Sequence, residues 1–221
     1  MKGLLIKDFS IMAKQKKFGV MFILLSIFLG YSMEPSFVIA YMPVIAMSLA
    51  FSTMAYDDLD NGMAFLMALP GSRKNYTIEK YLFSGIVIAL AWLVGVVVSL
   101  VMYTLKKESF SMGEVMGTDL MLLLLILIMC CVILPIILKY GNEKGRIVLF
   151  AVFGVGILIA VGGKEIVGFL QQKLGGDITA VIVGIKEIPI ALIMAVVAGI
   201  CLLSFFVSFA ISNGIMKKKE F

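Results

Sequence analysis

The segment from Asp57 to Lys80 contains the residue types and spacing that suit a protein-docking surface. Three aspartates are followed by seven apolar residues, Met63 to Leu69, enough for about two turns of helix. A Pro-Gly pair then predicts the end of this helix. A connection between two membrane spans does not need an apolar helix in water. We therefore interpret 57–80 as a surface that binds another protein.

The parts of this surface have different expected roles. The helix supplies an apolar face, the Pro-Gly pair a hinge, and Arg73 with Lys74 a charged edge. Both cations follow Ser72, a suitable N-cap for the next helix. The helix dipole disfavours cations in a first turn, so membrane topology or an acidic partner must favour them there. The residues assigned to docking are Asp58, Met63, Phe65, Leu66, Leu69, Pro70, Gly71, Ser72, Arg73 and Lys74.

The sequence lacks the arrangements of residues that would support catalysis, a metal or a nucleotide. Histidine is absent, and Cys130, Cys131 and Cys201 fall in apolar runs, which predicts reduced, structural cysteines. The Gly-rich phosphate loop that ends in Gly-Lys-Ser/Thr does not occur, so ATP is not bound by that route. We expect a chain that is not an enzyme and holds no cofactor.

The composition indicates an integral membrane protein. Hydrophobic residues make up 62% of the 221 residues, charged residues only 15%, and the mean hydropathy is +1.09. This predicts one all-α transmembrane domain over 1–221, with six spans and no room for a soluble catalytic domain. The expected spans are about 18–33, 36–56, 81–103, 120–138, 147–162 and 188–212.

The distribution of charge orients these spans. Fourteen of the 19 lysines and arginines fall on the side that holds both termini, while acidic residues divide evenly between the two sides. The positive-inside rule therefore places both termini in the cytoplasm, and it explains the net charge of +5 better than nucleic-acid binding does. A basic inner turn between the fourth and fifth spans contains Lys139, Glu143, Lys144 and Arg146.

Two further segments do not cross the membrane. Residues 1–17 combine five lysines with apolar residues at helical spacing, which predicts an interfacial helix on the inner leaflet. Residues 163–187 contain two short apolar patches on either side of Gly175-Gly176. Neither patch is long enough to span, so two re-entrant half-helices are favoured over a solvated outer loop.

The sequence resembles the small permease subunits of bacterial ATP-binding-cassette (ABC) exporters of the type-2 class, as found in Gram-positive bacteria. The likeness is carried by the start Met1 to Phe9, by Leu69-Pro70-Gly71-Ser72-Arg73 with Lys80-Tyr81, and by Lys139-Tyr140-Gly141 with Glu143 to Arg146.

The resemblance implies a multi-pass protein of the bacterial plasma membrane, with an N-terminal elbow helix and a cytoplasmic coupling helix between the second and third spans. It implies that ATP and Mg²⁺ are bound by a separate ABC ATPase and that two permease copies pair, as a homodimer or a heterodimer, in contact with membrane lipid. Some relatives export amphipathic peptides such as antimicrobials, so a hydrophobic or amphipathic cargo, peptide or lipid-like, is expected.

Two alternatives from other classes stay open on the sequence. An ion-coupled carrier usually needs an ionisable group at membrane depth, and none lies inside the six apolar runs. A sodium site of hydroxyls, from Ser48, Ser52, Thr53 and Tyr56, would avoid that requirement. A membrane scaffold or immunity protein that transports nothing is the other alternative.

Overall fold

The computed structural model describes residues 2–32, 35–59, 62–68, 72–107, 112–141, 147, 151, 154 and 190–219. These residues form helices, which confirms the all-α prediction for this part of the chain. The helices are α1 (Lys2–Lys14), α2 (Lys16–Ser32), α3 (Ser36–Asp58), α4 (Gly62–Ala68), α5 (Ser72–Lys106), α6 (Met112–Tyr140) and α7 (Ile190–Lys218).

Four of the helices are long and apolar enough to cross a membrane. They are α3, α5, α6 and α7, and they correspond to the predicted second, third, fourth and sixth spans. The predicted first span lies in α2, which has 17 residues and extends about 26 Å, slightly less than a 30 Å hydrocarbon core. The predicted fifth span lies outside the described residues except at positions 147, 151 and 154, and the re-entrant segment 163–187 lies wholly outside them. Six spans therefore stay a prediction.

The helices extend beyond the apolar runs from which the spans were predicted. Helix α5 has 35 residues, about 52 Å, and α6 begins at Met112. The charged residues between the third and fourth spans predict an outer loop from Lys106 to Asp119. That prediction is wrong from Met112 onward, since α6 begins there and Asp119, inside this helix, is 1% exposed. Hydropathy reports which residues suit hydrocarbon, whereas a helix continues until its backbone hydrogen bonds are interrupted.

The core of the bundle is built around α3. Met47, Phe51 and Met54 of α3 are buried together with Ile133 and Leu134 of α6. Helix α5 approaches α3 closely at Gly95, where an added Cβ would lie 3.3 Å from the Cα of Ile39. Tyr81 of α5 shares hydrogen bonds with Ser208 and Ser212, 2.8 Å from the latter, and so connects α5 to α7.

The N-terminal helix folds back onto the bundle. The chain bends at Gln15, between α1 and α2, where the amide of Gln15 donates to the carbonyl of Met12 at 3.0 Å. Leu5, Phe9 and Met12 form the inner face of α1 and pack against α3 and α5. The ring of Phe9 meets the ring of Phe83 edge-on, with 5.0 Å between centroids. This places α1 beside the end of α3 that leads into α4.

Candidate functional site

The apolar residues of α4 that were predicted to form one docking face lie in two different environments. Met63 is 8% exposed and belongs to the hydrophobic core, and Leu66 packs against that core from its edge. Phe65 points the other way and is 71% exposed. The helix is therefore anchored to the bundle on one side and presents an aromatic ring on the other.

The charged residues after α4 lie at the start of α5. Arg73 and Lys74 are exposed in its first turn, and α5 begins at Ser72 as predicted. An Nη1 hydrogen of Arg73 is donated to the carbonyl of Lys217 at 2.8 Å, at the carboxyl end of α7. A helix carboxyl end attracts cations, so this contact offsets the unfavourable dipole of α5's own first turn.

The other predicted docking residues are only partly covered by the structure. Asp58 is exposed at the end of α3, and the exposed Lys139 places its ammonium 4.9 Å from the centre of the Tyr140 ring. The remaining predicted residues of the hinge and the inner turn lie outside the described residues. They are Leu69, Pro70, Gly71, Glu143, Lys144 and Arg146.

Four charged residues, Lys7, Asp8, Asp57 and Lys80, meet behind α4 and form what we call the ion cluster. The Lys80 ammonium contacts the carboxylates of both Asp8 and Asp57, the latter at 2.8 Å. The Lys7 ammonium contacts Asp57 and lies 3.3 Å from Asp8. Because Lys7 and Asp8 belong to α1, Asp57 to α3 and Lys80 to α5, the ion cluster joins three helices.

Three of the four residues of the ion cluster are almost completely removed from solvent, while the Lys7 side chain is 29% exposed. Asp8 is 0%, Lys80 1% and Asp57 4% exposed. Burial of charges at this level is tolerated only when they are paired and hydrogen-bonded. Two neutral hydroxyls add to the pairing: the Tyr76 hydroxyl donates to Asp57 at 3.0 Å, and the Thr53 hydroxyl lies 3.3 Å from Asp8 and 2.8 Å from the Ala50 carbonyl. Oδ1 of Asp8 has no hydrogen-bond partner among the described residues and lies 3.3 Å from the Lys7 ammonium.

A third acidic side chain accompanies the ion cluster. Glu79 is 0% exposed, and its carboxylate lies 3.7 Å from the Lys80 ammonium. Neither of its oxygens has a hydrogen-bond partner in the described part of the chain. With Glu79 included, three carboxylates surround two ammonium groups, so the loss of either lysine leaves buried acid without a counterion.

Helix α4 touches the backbone of the ion cluster directly. A Cβ added to Gly62, the first residue of α4, would lie 2.8 Å from the carbonyl oxygen of Asp57. Only a glycine permits this approach, because the atom it meets belongs to backbone and has no freedom to turn away. The start of α4 therefore packs directly against the backbone of Asp57, whose carboxylate contacts Lys7 on α1 and Lys80 on α5.

Substitution by alanine is expected to have opposite effects on stability at Gly62, which makes this contact, and at Gly85, which makes none. Gly62→Ala should lower the free energy of unfolding by about 1–3 kcal/mol, because the added methyl group overlaps the Asp57 carbonyl. Gly85→Ala, at a helical site with no atom within 4 Å, should raise it by about 0.5–1 kcal/mol. Thermal unfolding of the purified protein in detergent measures both. Equal stability of the two variants would contradict the close α4 contact.

One residue in the sequence, Asp8, indicates the ion cluster, although the hydropathy of the spans does not. Asp8 lies three residues after Leu5 and four before Met12, on the apolar face of α1. A carboxylate on the face that packs inward requires a buried cation. Lys80 contributes to the positive-inside count and to the family resemblance, and neither predicts that it is buried beside Asp8.

Apolar helices of membrane length, bound together at one end by a short surface helix and a buried ion cluster, define a multi-pass membrane protein. The described residues contain no group of three or more His, Cys, Asp or Glu side chains placed to hold a metal. The sequence model described as "ABC-2 family transporter protein" matches residues 3–217, and the chain belongs to this family. The resemblance to type-2 ABC permeases is thereby confirmed. No curated protein matches the chain.

Family membership defines the general role. The chain is a membrane component of an ABC transporter rather than a catalytic subunit, and an ABC ATPase is its partner in general.

Proposed function

We propose that the chain is the permease subunit of an ATP-driven exporter and that α4 is the helix on which its ATPase docks. ATP and Mg²⁺ are held by the ATPase chain. The observation that carries this proposal is the division of α4, in which Phe65 is 71% exposed while Met63 is fixed in the core. An exposed aromatic residue on a rigid support is a typical anchor at a protein interface.

The contacts behind α4 support a route for the conformational change. Closure of the ATPase dimer pushes α4, and α4 pushes Asp57 through the close approach at Gly62. Asp57 carries α3 with it and pulls on Lys7 and Lys80. Helices α1, α3 and α5 then move as a unit, and the cavity between two paired permeases changes from inward to outward access.

The charge distribution in the spans supports a hydrophobic or amphipathic cargo. Within the described spans, the buried charges lie near the ends: Asp57 at the end of α3, Glu79 and Lys80 in the first turns of α5, and Asp119 in the outer part of α6. The central part of these helices offers no charge to a passing ion or to a strongly polar solute. A peptide or lipid-like molecule taken from the cytoplasm or the inner leaflet of a bacterial plasma membrane fits this lining.

Reconstitution tests the proposal. The chain is purified from its native membrane with the ATPase that accompanies it, and the complex is placed in inside-out vesicles. A fluorescent amphipathic helical peptide should accumulate in the lumen only when MgATP is supplied, and a hydrolysis-deficient ATPase provides the control. Accumulation driven by an ion gradient without ATP would identify a secondary carrier instead. Stable association with no ATP-dependent accumulation would identify a scaffold.

A further inference from the structure

A groove beside the bend between α1 and α2 has features of a lipid-binding site. It has a volume of about 590 Å³, within the usual range for small-molecule sites. Residues from α1, α2, α3 and α5 line it, and all of them are apolar or glycine except Gln15 and Lys16. The polar groups are therefore confined to one place, the bend itself.

The groove runs parallel to the helices from that bend. On α2 it extends from Lys16 to Ile23, on α3 from Leu49 back to Met42, and on α5 from Val87 to Val94. Each stretch advances seven residues, which is about 10 Å along a helix axis. The groove thus begins at the level of the interfacial helix and continues toward the hydrocarbon, as one lipid acyl chain does.

The charge at the bend selects an anionic headgroup. Lys14, Lys16 and Lys17 are exposed within four consecutive positions, and no acidic residue occurs between Phe9 and Met33. None of the ion pairs in the described ranges involves these three lysines. The nearby acidic residues of the ion cluster, Asp8 and Asp57, are already paired with Lys7 and Lys80.

The size of the groove favours a lipid chain over a transported peptide. A peptide helix with its side chains is about 10 Å in diameter, so the groove, about 10 Å long, would hold no more than about two turns of it. An acyl chain is narrower, and each methylene it buries contributes to binding.

We propose that this groove binds one anionic phospholipid of the inner leaflet, with its phosphate at Lys16 and Lys17 and an acyl chain along Gly19 and Ile23. The bound lipid rests against α1 and α5, the two helices that the ion cluster also joins. It holds the bend between α1 and α2 in place whether or not an ATPase is attached.

Native mass spectrometry of the purified full-length chain tests this site. Phosphatidylglycerol and phosphatidylcholine with the same acyl chains are titrated separately, and phosphatidylglycerol should bind at least about tenfold more tightly. Lys16→Gln should weaken phosphatidylglycerol binding about fivefold and leave phosphatidylcholine unchanged. Lys2→Gln, an exposed lysine at the far end of the neighbouring helix α1 and away from the groove, is the matched control and should change neither.

A second pair of variants tests the acyl chain. Gly19 lines the groove and has no atom within 4 Å of an added Cβ, so Gly19→Leu places a side chain in the groove and should weaken both lipids at least about fivefold. Gly199→Leu, another open glycine in a membrane helix, should weaken neither.

Several results would overturn the proposal. The first is equal binding of both lipids by the wild type. The second is a preference for phosphatidylglycerol that persists in Lys16→Gln, and the third is lipid binding that Gly19→Leu does not weaken. Inorganic phosphate that competes as well as the lipid does would reduce the site to a phosphate site. A helical amphipathic peptide that displaces the lipid and binds Lys16→Gln with full affinity would assign the groove to cargo.

Discussion

Phe65→Asp is expected to reduce ATP-driven transport by at least about tenfold while leaving the permease folded. The ring is 71% exposed on a helix whose opposite side is fixed in the core. Removal of an aromatic anchor from an interface costs about 2 kcal/mol or more, and the new carboxylate faces an apolar pocket of the partner. ATPase stimulation in the co-purified complex and peptide accumulation in vesicles measure the effect.

Two comparisons separate docking from folding at this helix. Ile6→Asp places the same charge on an exposed apolar residue of α1, at the same end of the molecule but outside 57–80, and coupling should remain. Met63→Asp buries a carboxylate in the core and should lose stability instead. Coupling in Phe65→Asp as strong as in the wild type would remove α4 from the docking surface.

Lys80→Met is expected to lower the free energy of unfolding by about 3–5 kcal/mol. The substitution leaves Asp8, Asp57 and Glu79 buried with Lys7 as their remaining cation, and the loss of one partner from a buried pair has a cost of that size. Cys130 and Cys131 are buried, so a thiol-reactive dye reports unfolding in detergent as temperature rises.

The same measurement contains its own controls. Lys74→Met removes an exposed lysine from the same helix and should change stability by less than about 0.5 kcal/mol. Asp8→Leu combined with Lys80→Met removes both members of one pair, and at least half of the lost stability should return. If Lys80→Met is as stable as Lys74→Met, the four charges do not form a buried cluster.

The course of the chain through the membrane was largely predictable, because long apolar runs have one stable arrangement in a bilayer. Helices α3, α5, α6 and α7 lie where hydropathy placed spans, and α4 lies within one residue of the predicted short helix, as Gly62–Ala68 against 63–69. The Pro-Gly break and the N-cap residue Ser72 were sufficient to separate α4 from α5.

The contacts at the end of the bundle were not predictable in the same way. A helix of two turns with an apolar residue at nearly every position has no polar side to orient it, so hydropathy does not distinguish Phe65 from Met63. Lys74 and Lys80 contribute equally to the positive-inside count, yet Lys74 is exposed and Lys80 is buried, with 1% of its surface accessible. Their difference depends on α1, whose Asp8 lies 72 residues earlier in the sequence.

That separation sets an order of events during synthesis. Lys7 leaves the ribosome 50 residues ahead of Asp57, and Asp8 leaves it 72 residues ahead of Lys80. Until Lys80 is made, Asp8 lacks the buried cation that makes its removal from water tolerable. We therefore expect α1 to stay in contact with water while α2 and α3 are inserted, and to reach its final position only after the start of α5 has emerged.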